Sequence, residues 1–219
     1  MPSIVPGRAE PKTLAARLRC SRRGRCSGMT PERQAHTSSV RGRRTHRGGA
    51  TGDSVLRTER LLLTPLTRLD EPEHASASGR AADALRDTGA AETQWRECAF
   101  GPWAIRDLRD ESFLGCAELR MAGDGIDGIE PDEVEAGWWV AEGRRNQGIA
   151  TEAMRAAIAD LWGRAEADGI TAYIEEGENE ASRRVATKLG FAVRGQGRGR
   201  SGEPMTVYEL RRDAWQPGG

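Results

Sequence analysis

Cysteine and histidine are scarce in this chain, four and three residues respectively, and neither set is arranged for metal binding. Cys20, Cys26, Cys98 and Cys116 show no CxxC spacing, and His36, His46 and His74 do not flank them in a zinc-like order. This argues against a zinc module or a disulfide framework and leaves reduced, incidental thiols as the expectation. Long apolar runs are missing as well. Nothing approaches the ~18–20 residues that a membrane-spanning helix needs, so a soluble, cytoplasmic protein without metal or membrane partner is expected. Lysine is nearly absent, since Lys12 and Lys188 stand among 33 basic residues. With abundant Ala and Gly, that bias points to GC-rich coding and carries no functional meaning.

What is present is a division of charge. Residues 1–52 carry 12 Lys and Arg against 2 Asp and Glu; with 33 of each sign in the whole chain, the remainder carries 21 against 31. Overall neutrality therefore hides a basic segment followed by an acidic one. The first 53 residues are rich in Arg, Ser, Gly and Pro and nearly empty of large apolar side chains after Leu18. Such a segment buries too little surface to offset its ordering entropy and is expected to be a disordered extension. A nucleic-acid-binding tail, a transit peptide and an over-long translation start, with Met29 an internal alternative, are the competing readings.

The folded region is expected over residues 54–219. A short apolar run, Leu61-Leu62-Leu63, stopped by Pro65, suits a buried strand. Residues 67–97 are small and polar with weak periodicity, enough for one or two short helices. Trp103–Asp107 and Ser112–Arg120 form a hairpin pattern around a polar turn. Residues 121–132, loaded with Gly and Asp, read as a loop. Val134 to Val140 alternate as a strand. Ala150, Ala153, Met154, Ala157, Ile158, Leu161 and Trp162 then give a continuous helical stripe, closed by Asp168-Gly169. Ile170–Ile174 supplies a strand, and strand–helix–strand order predicts a parallel pair with a crossover helix. A second helix runs from Glu180 to Leu189, with Asn179 as N-cap and Gly190 at its end. Residues 191–193 and 205–210 are the last two strands, around a Gly/Arg loop.

One junction stands out. Arg145-Asn146-Gln147-Gly148-Ile149-Ala150-Thr151 turns from the alternating strand into the striped helix. A helix start carries unpaired N–H groups and a partial positive charge, and so suits an anion, phosphate above all. Gly148 and Ala150 would let a ligand reach the backbone itself. By contrast Gly197 to Gly202, which spells GxGxxG, lies between two strands and opens no helix, so it is no dinucleotide site.

On these residues the chain resembles the GCN5-related N-acetyltransferases (GNAT), in the branch that includes ribosomal-protein N-terminal acetyltransferases. Arg145 to Ala150 fits the family's pyrophosphate loop, supported in family order by Glu59-Arg60-Leu61, Gly137-Trp138-Trp139-Val140 and the stretch from Asn179 to Phe191. The resemblance covers about residues 55–215. It implies a mixed α/β fold, the GNAT acyl-CoA N-acyltransferase fold, with a central sheet of about seven strands flanked by helices. It further implies acetyl-CoA as co-substrate in a V-shaped gap, the backbone at Trp139 and Val140 along the pantetheine arm, and the pyrophosphate on amides of Arg145, Asn146 and Gln147, then Gly148, Ile149, Ala150 and Thr151. Asn179 would add a contact to the arm.

The implied activity is direct acetyl transfer to a primary amine, of a protein N-terminus or a small molecule, in a ternary complex. The alternative is a protein of the same fold that binds CoA or nucleotide without turnover, or nucleic acid through the tail. Transfer needs a deprotonated amine and a proton for the departing thiolate. Glu135 is the candidate base, against a solvated strand-face carboxylate, with Glu118 the second candidate. Ser182 is the candidate proton donor, because Ala186, Thr187 and Lys188 stand where many relatives place a tyrosine. Trp103, Trp138 and Trp139 are expected in the core or the cleft wall. The acceptor pocket is expected from residues 67–97, 121–132 and 195–203. Besides the acceptor, a homodimer is left open, and nucleic acid is not expected as a partner.

Overall fold

A computed structural model describes residues 54–98, 100–123, 125–177 and 179–216; the basic extension of residues 1–53 lies outside them, as do Cys20 and Cys26. Among the described residues the architecture is one eight-stranded mixed sheet, in the order β1-β2-β3-β4-β5-β6-β8-β7, with four α-helices. The strand count is close to the seven expected.

β1 (Leu56–Arg57), β2 (Leu61–Pro65), β3 (Trp103–Asp107), β4 (Phe113–Met121) and β5 (Val134–Val140) pair antiparallel in succession. β6 (Gly169–Glu175) then lies parallel to β5, reached through helix α3 (Ile149–Arg164), as the strand–helix–strand order predicts. β8 (Pro204–Arg211) and β7 (Ala192–Arg198) close the far edge. β7 runs on through Arg198, so half of the expected Gly/Arg loop is strand.

The sheet's two faces are set by alternation along β4. Ala117 and Leu119 join the main core with Met154, Ile158 and Leu161 of α3, whose burial is worth about 1.5–3 kcal/mol per large side chain. Cys116 points the other way, to a smaller cluster with Leu66, Ala91 and Ala104. α3 buries the expected stripe, with Ile149 in place of the half-exposed Ala150, and it ends at Arg164 rather than at Asp168-Gly169.

Residues 67–97 are better organised than their sequence pattern indicates. Thr67 and Asp70 form a reciprocal capping box over one 3-10 turn, which leads into α1 (Glu71–Ser78); Gly79, at φ 69°, ends it. α2 (Ala81–Cys98) is then an 18-residue helix. Its buried side includes Ala84, Thr88, Ala91 and Trp95, a stripe of small residues. Thr88 is buried without cost to the core because its hydroxyl donates to the Ala84 carbonyl at 2.8 Å. Trp95 docks edge-on against Trp103, and its indole N–H donates to the Pro102 carbonyl at 2.7 Å.

Candidate active site

β5 and β6 register at Glu135 and Thr171. Past that point β5 continues along β4 as far as Val140, and β6 continues along β8 as far as Glu175. The two central strands therefore part company, and their C-terminal halves open a V. α3 starts on one side of the gap and α4 (Glu180–Leu189) on the other.

The turn that leaves β5 is shaped by two left-handed residues, Asn146 at φ 60° and Gly148 at φ 80°. Asn tolerates this region better than other side chains, and Gly occupies it freely. Gly148 is also the N-cap of α3 and supplies no side-chain cap. The first amides of the helix have no intrahelical acceptor, so Ile149, Ala150 and Thr151 offer their N–H groups outward. All three line a cavity of about 560 Å³ that fills the gap between the strand ends and α4. Its wall includes Arg144, Arg145, Arg184 and Lys188 and no carboxylate, as an anionic ligand requires.

A brace from the start of the domain holds this turn. Arg60 donates to the Gln147 carbonyl at 3.0 Å and pairs with Glu152, in the first turn of α3, at 2.6 Å. Thr58 also donates to that carboxylate. Burial alone would raise the Glu152 pKa, but the hydrogen bonds from Thr58 and Arg60 outweigh it and hold the carboxyl below its usual range. Glu152 is thus fixed as an anion, and Arg60 cancels its charge in the first turn of α3.

A second, smaller cavity of about 170 Å³ adjoins the first, and both are lined by Trp138, Asn179 and Ser182. On its far wall stand Arg120, Glu135 and Tyr173. Arg120 bridges two carboxylates, Glu135 at 2.5 Å and Glu118 at 2.8 Å. Glu135 is buried and is also approached by Arg200 at 3.4 Å, while Arg200 donates to Tyr173 Oη and to the Ala122 carbonyl. Burial pushes the Glu118 pKa up, with Arg120 opposing and Asp87 and Glu135 adding to the rise. Burial alone would lower the Arg120 pKa; the two carboxylates outweigh that and fix Arg120 as a cation. Glu118 pairs across the strands with Gly137, which lines the cavity, while Glu118 itself stands behind that wall, in contact with Arg120.

With this geometry in hand, a family model for the acetyltransferase (GNAT) domain matches residues 60–192. The chain belongs to the GNAT acetyltransferase family. Solved GNAT-like structures agree in fold. A protein from Bordetella pertussis assigned to the GNAT-family acetyltransferases is 25% identical, with a TM-score of 0.63 over 71% of this chain and 98% of that one. The acetyltransferase from Agrobacterium tumefaciens str. C58 is 21% identical, with a TM-score of 0.61 over 77% and 100%. RimL, a ribosomal L7/L12 α-N-protein acetyltransferase in complex with coenzyme A, is 14% identical, with a TM-score of 0.57 over 74% and 99%. No curated protein matches the chain by sequence.

Within this GNAT domain the larger cavity brings together Trp139, Val140, Arg145, Asn146, Gly148, Ile149, Ala150, Thr151 and Asn179. Gln147 is not on that wall: its carbonyl is held by Arg60, and its side chain donates to the Gly143 carbonyl at 3.4 Å. The Val140 carbonyl accepts from Arg145 Nε at 3.1 Å, which folds that guanidinium back onto the strand end. Asn179 occupies the N-cap position of α4 but makes no side-chain cap hydrogen bond; its place on both cavity walls is the more informative feature. Trp138 and Trp139 are half-buried cleft wall, and Trp103 is core.

The sequence reading missed Arg144, Ala181, Arg184, Val185 and Lys188 on the larger cavity. The last four fall at i, i+3, i+4 and i+7, one face of α4, so the helical pattern itself held that signal. The stretches expected to build the acceptor pocket stand apart from the second cavity. None of the stretches 67–97, 121–132 and 195–203 lines the second cavity, which is walled by β4, β5, β6 and α4. The β7–β8 turn contributes through Arg200, which reaches Glu135. Among the described residues no helix is long and apolar enough to cross a membrane.

Proposed function

We propose that this acetyltransferase moves the acetyl group of acetyl-CoA to a primary amine, of a protein N-terminus or a small molecule, by direct transfer in a ternary complex. The observation that carries the reading is the pair of cavities sharing Trp138, Asn179 and Ser182. A donor against the α3 N-terminus and an acceptor beside Arg120 and Glu135 can meet there without a covalent enzyme intermediate. The larger cavity fits acetyl-CoA: helix amides and uncapped Gly148 meet the pyrophosphate, and the cationic wall matches its charge.

In the transfer, the amine nitrogen attacks the thioester carbonyl carbon, the C–S bond breaks, and the nitrogen loses a proton while the sulfur gains one. The proton from nitrogen goes to the carboxylate pair Glu135 and Glu118, directly or through water. Glu118 is the better suited, because its raised pKa brings it nearer to an amine's needs. Glu135, held by two arginines, fixes Arg120 in place. Ser182 stands where both cavities meet and supplies the thiolate's proton, so Ser182→Ala lowers kcat at unchanged KM for acetyl-CoA. An unchanged kcat would assign that proton to water.

The test uses the full chain with acetyl-CoA and a panel of amines and N-terminal peptides, following thiol release and the mass of the acceptor. Thiol release matched by acetylated acceptor is expected. CoA binding with no thiol release from any amine or peptide would replace this reading with that of a non-catalytic binding protein.

A further inference from the structure

The β7–β8 turn sends one side chain to the far wall of the second cavity. Arg200, 65 residues from Glu135 in sequence, reaches three segments at once. Its guanidinium donates to Tyr173 Oη of β6 at 3.0 Å and lies 5.9 Å from the centre of that ring. It also donates to the Ala122 carbonyl just past β4, and approaches Glu135 Oε2 of β5 at 3.4 Å. Arg120 meets the other oxygen, Oε1, through Nε at 3.1 Å and Nη2 at 2.5 Å. Among the described residues, Oε2 therefore has Arg200 alone. The turn is itself tied down: the Asp127 amide donates to the Arg198 carbonyl at 3.0 Å, and a Cβ on Gly125 would touch Arg200 Cγ at 3.5 Å.

The consequence is electrostatic. Glu118 and Glu135 place two negative charges beside the cavity, and Arg120 and Arg200 place two positive ones. Asp87, which also acts on Glu118, pairs with Arg86 at 3.4 Å, and Glu203 spends its carboxylate on the Ser201 amide at 2.9 Å. This side of the site is thus balanced, and Arg120 alone would leave it one negative charge in excess. A cationic group gives up hydration on entering such a cavity and needs unmatched negative charge there in return. From this balance we infer that Arg200 is a specificity-determining residue: it reserves the second cavity for acceptors whose reacting amine is their one cationic group, and disfavours amines that carry another. It acts through Glu135, by withholding the partner that a second cation would need. The inference rests on the acetyl-transfer reading of the two cavities and narrows its acceptor class.

Matched acceptor pairs test it: 1-aminobutane against 1,4-diaminobutane, and N-terminal tetrapeptides with alanine against the same peptides with lysine at the second position. The measurement is kcat/KM on the full chain, as wild type, Arg200→Gln and Arg200→Lys. Arg200 is exposed and does not line the larger cavity, so both variants should fold and keep the wild-type KM for acetyl-CoA. The wild type is expected to favour the member of each pair without the second cation about tenfold or more, the scale of one unmatched charge near a protein surface. Arg200→Gln should erase or reverse that preference, while Arg200→Lys, which keeps the charge, should preserve it. No preference in the wild type, an unchanged preference in Arg200→Gln, or an equal loss in both variants would overturn the assignment and leave acetyl transfer intact. Acetylation of no acceptor by any of the three proteins would overturn the acetyl-transfer reading, and the assignment with it.

Discussion

Arg60 and Glu152 lie 92 residues apart in sequence and 2.6 Å apart in space, where they join the approach to β2 to the first turn of α3. The same guanidinium holds the Gln147 carbonyl. One side chain therefore sets the turn, steadies the helix start and neutralises the acid in its first turn.

Removing that arginine should damage donor binding more than turnover. Arg60→Ala is expected to raise KM for acetyl-CoA about tenfold, roughly what one lost charge-assisted contact set is worth, with kcat little changed. Adding Glu152→Gln should recover most of it, since no uncancelled carboxylate then stands in the first turn of α3, behind the helix start. Steady-state kinetics on the two variants checks this; a double variant no better than Arg60→Ala would show that the charge is irrelevant.

The same pair gives a pH dependence of stability. The folded pKa of Glu152 lies below its ordinary value, so in acid the unfolded chain binds the proton more readily. The stabilisation is present above the unfolded value and is lost as pH falls through the folded one. Melting temperature should therefore decline from about pH 5 downward. In Glu152→Gln this component of the decline should vanish, as thermal melts across the range would show.

The two carboxylates held by Arg120 should separate by assay. Glu118 has its pKa raised by burial, and a base must be deprotonated, so kcat/KM should fall as pH drops through a value above the ordinary range near 4.3. Glu118→Gln is expected to lose roughly 10²–10⁴-fold in kcat with its acid limb abolished. Glu135→Gln removes the buried carboxylate that Arg120 and Arg200 share, leaving Arg120 with Glu118 alone, and should lower the melting temperature more than Glu118→Gln does. Glu118→Gln with full activity would pass the role to Glu135.

Gly148 has a left-handed backbone and its Cβ direction is open, with Arg60 Nη2 at 3.4 Å from the added atom. Gly148→Ala should cost about 1–2 kcal/mol of stability through its φ alone. Gly148→Trp should fill the anion site and abolish acetyl-CoA binding while the circular dichroism stays native. Wild-type affinity in that variant would move the donor site elsewhere.

Gly115 presents the opposite case. A Cβ there would come within 2.2 Å of the Trp139 carbonyl oxygen on the paired strand, and backbone cannot swing aside. Gly115→Ala is expected to destabilise the domain by about 3 kcal/mol or more, in the range reserved for backbone conflicts. Urea unfolding would measure it.

The strand, turn and helix start that line the larger cavity were legible because their determinants are contiguous. β5, the turn from Arg145 to Gly148 and the stripe of α3 state their conformations within some thirty residues, through alternation, left-handed Asn and Gly, and 3.6-residue spacing. α2 was illegible for an equally local reason. Its buried stripe includes Ala84, Thr88 and Ala91, too small and too polar to mark a period until Trp95 and the sheet show what they pack against. The second cavity needed tertiary structure altogether. Glu118, Arg120, Glu135 and Arg200 come from β4, β5 and the β7–β8 turn, and in sequence each is an ordinary charge beside others. A charged side chain has many partners of opposite sign, and only strand order and register decide which comes within hydrogen-bonding distance. The sequence by itself thus determined the helix start that we propose for the acetyl donor. The fold decided what braces that helix start, and which carboxylates Arg120 gathers beside the second cavity.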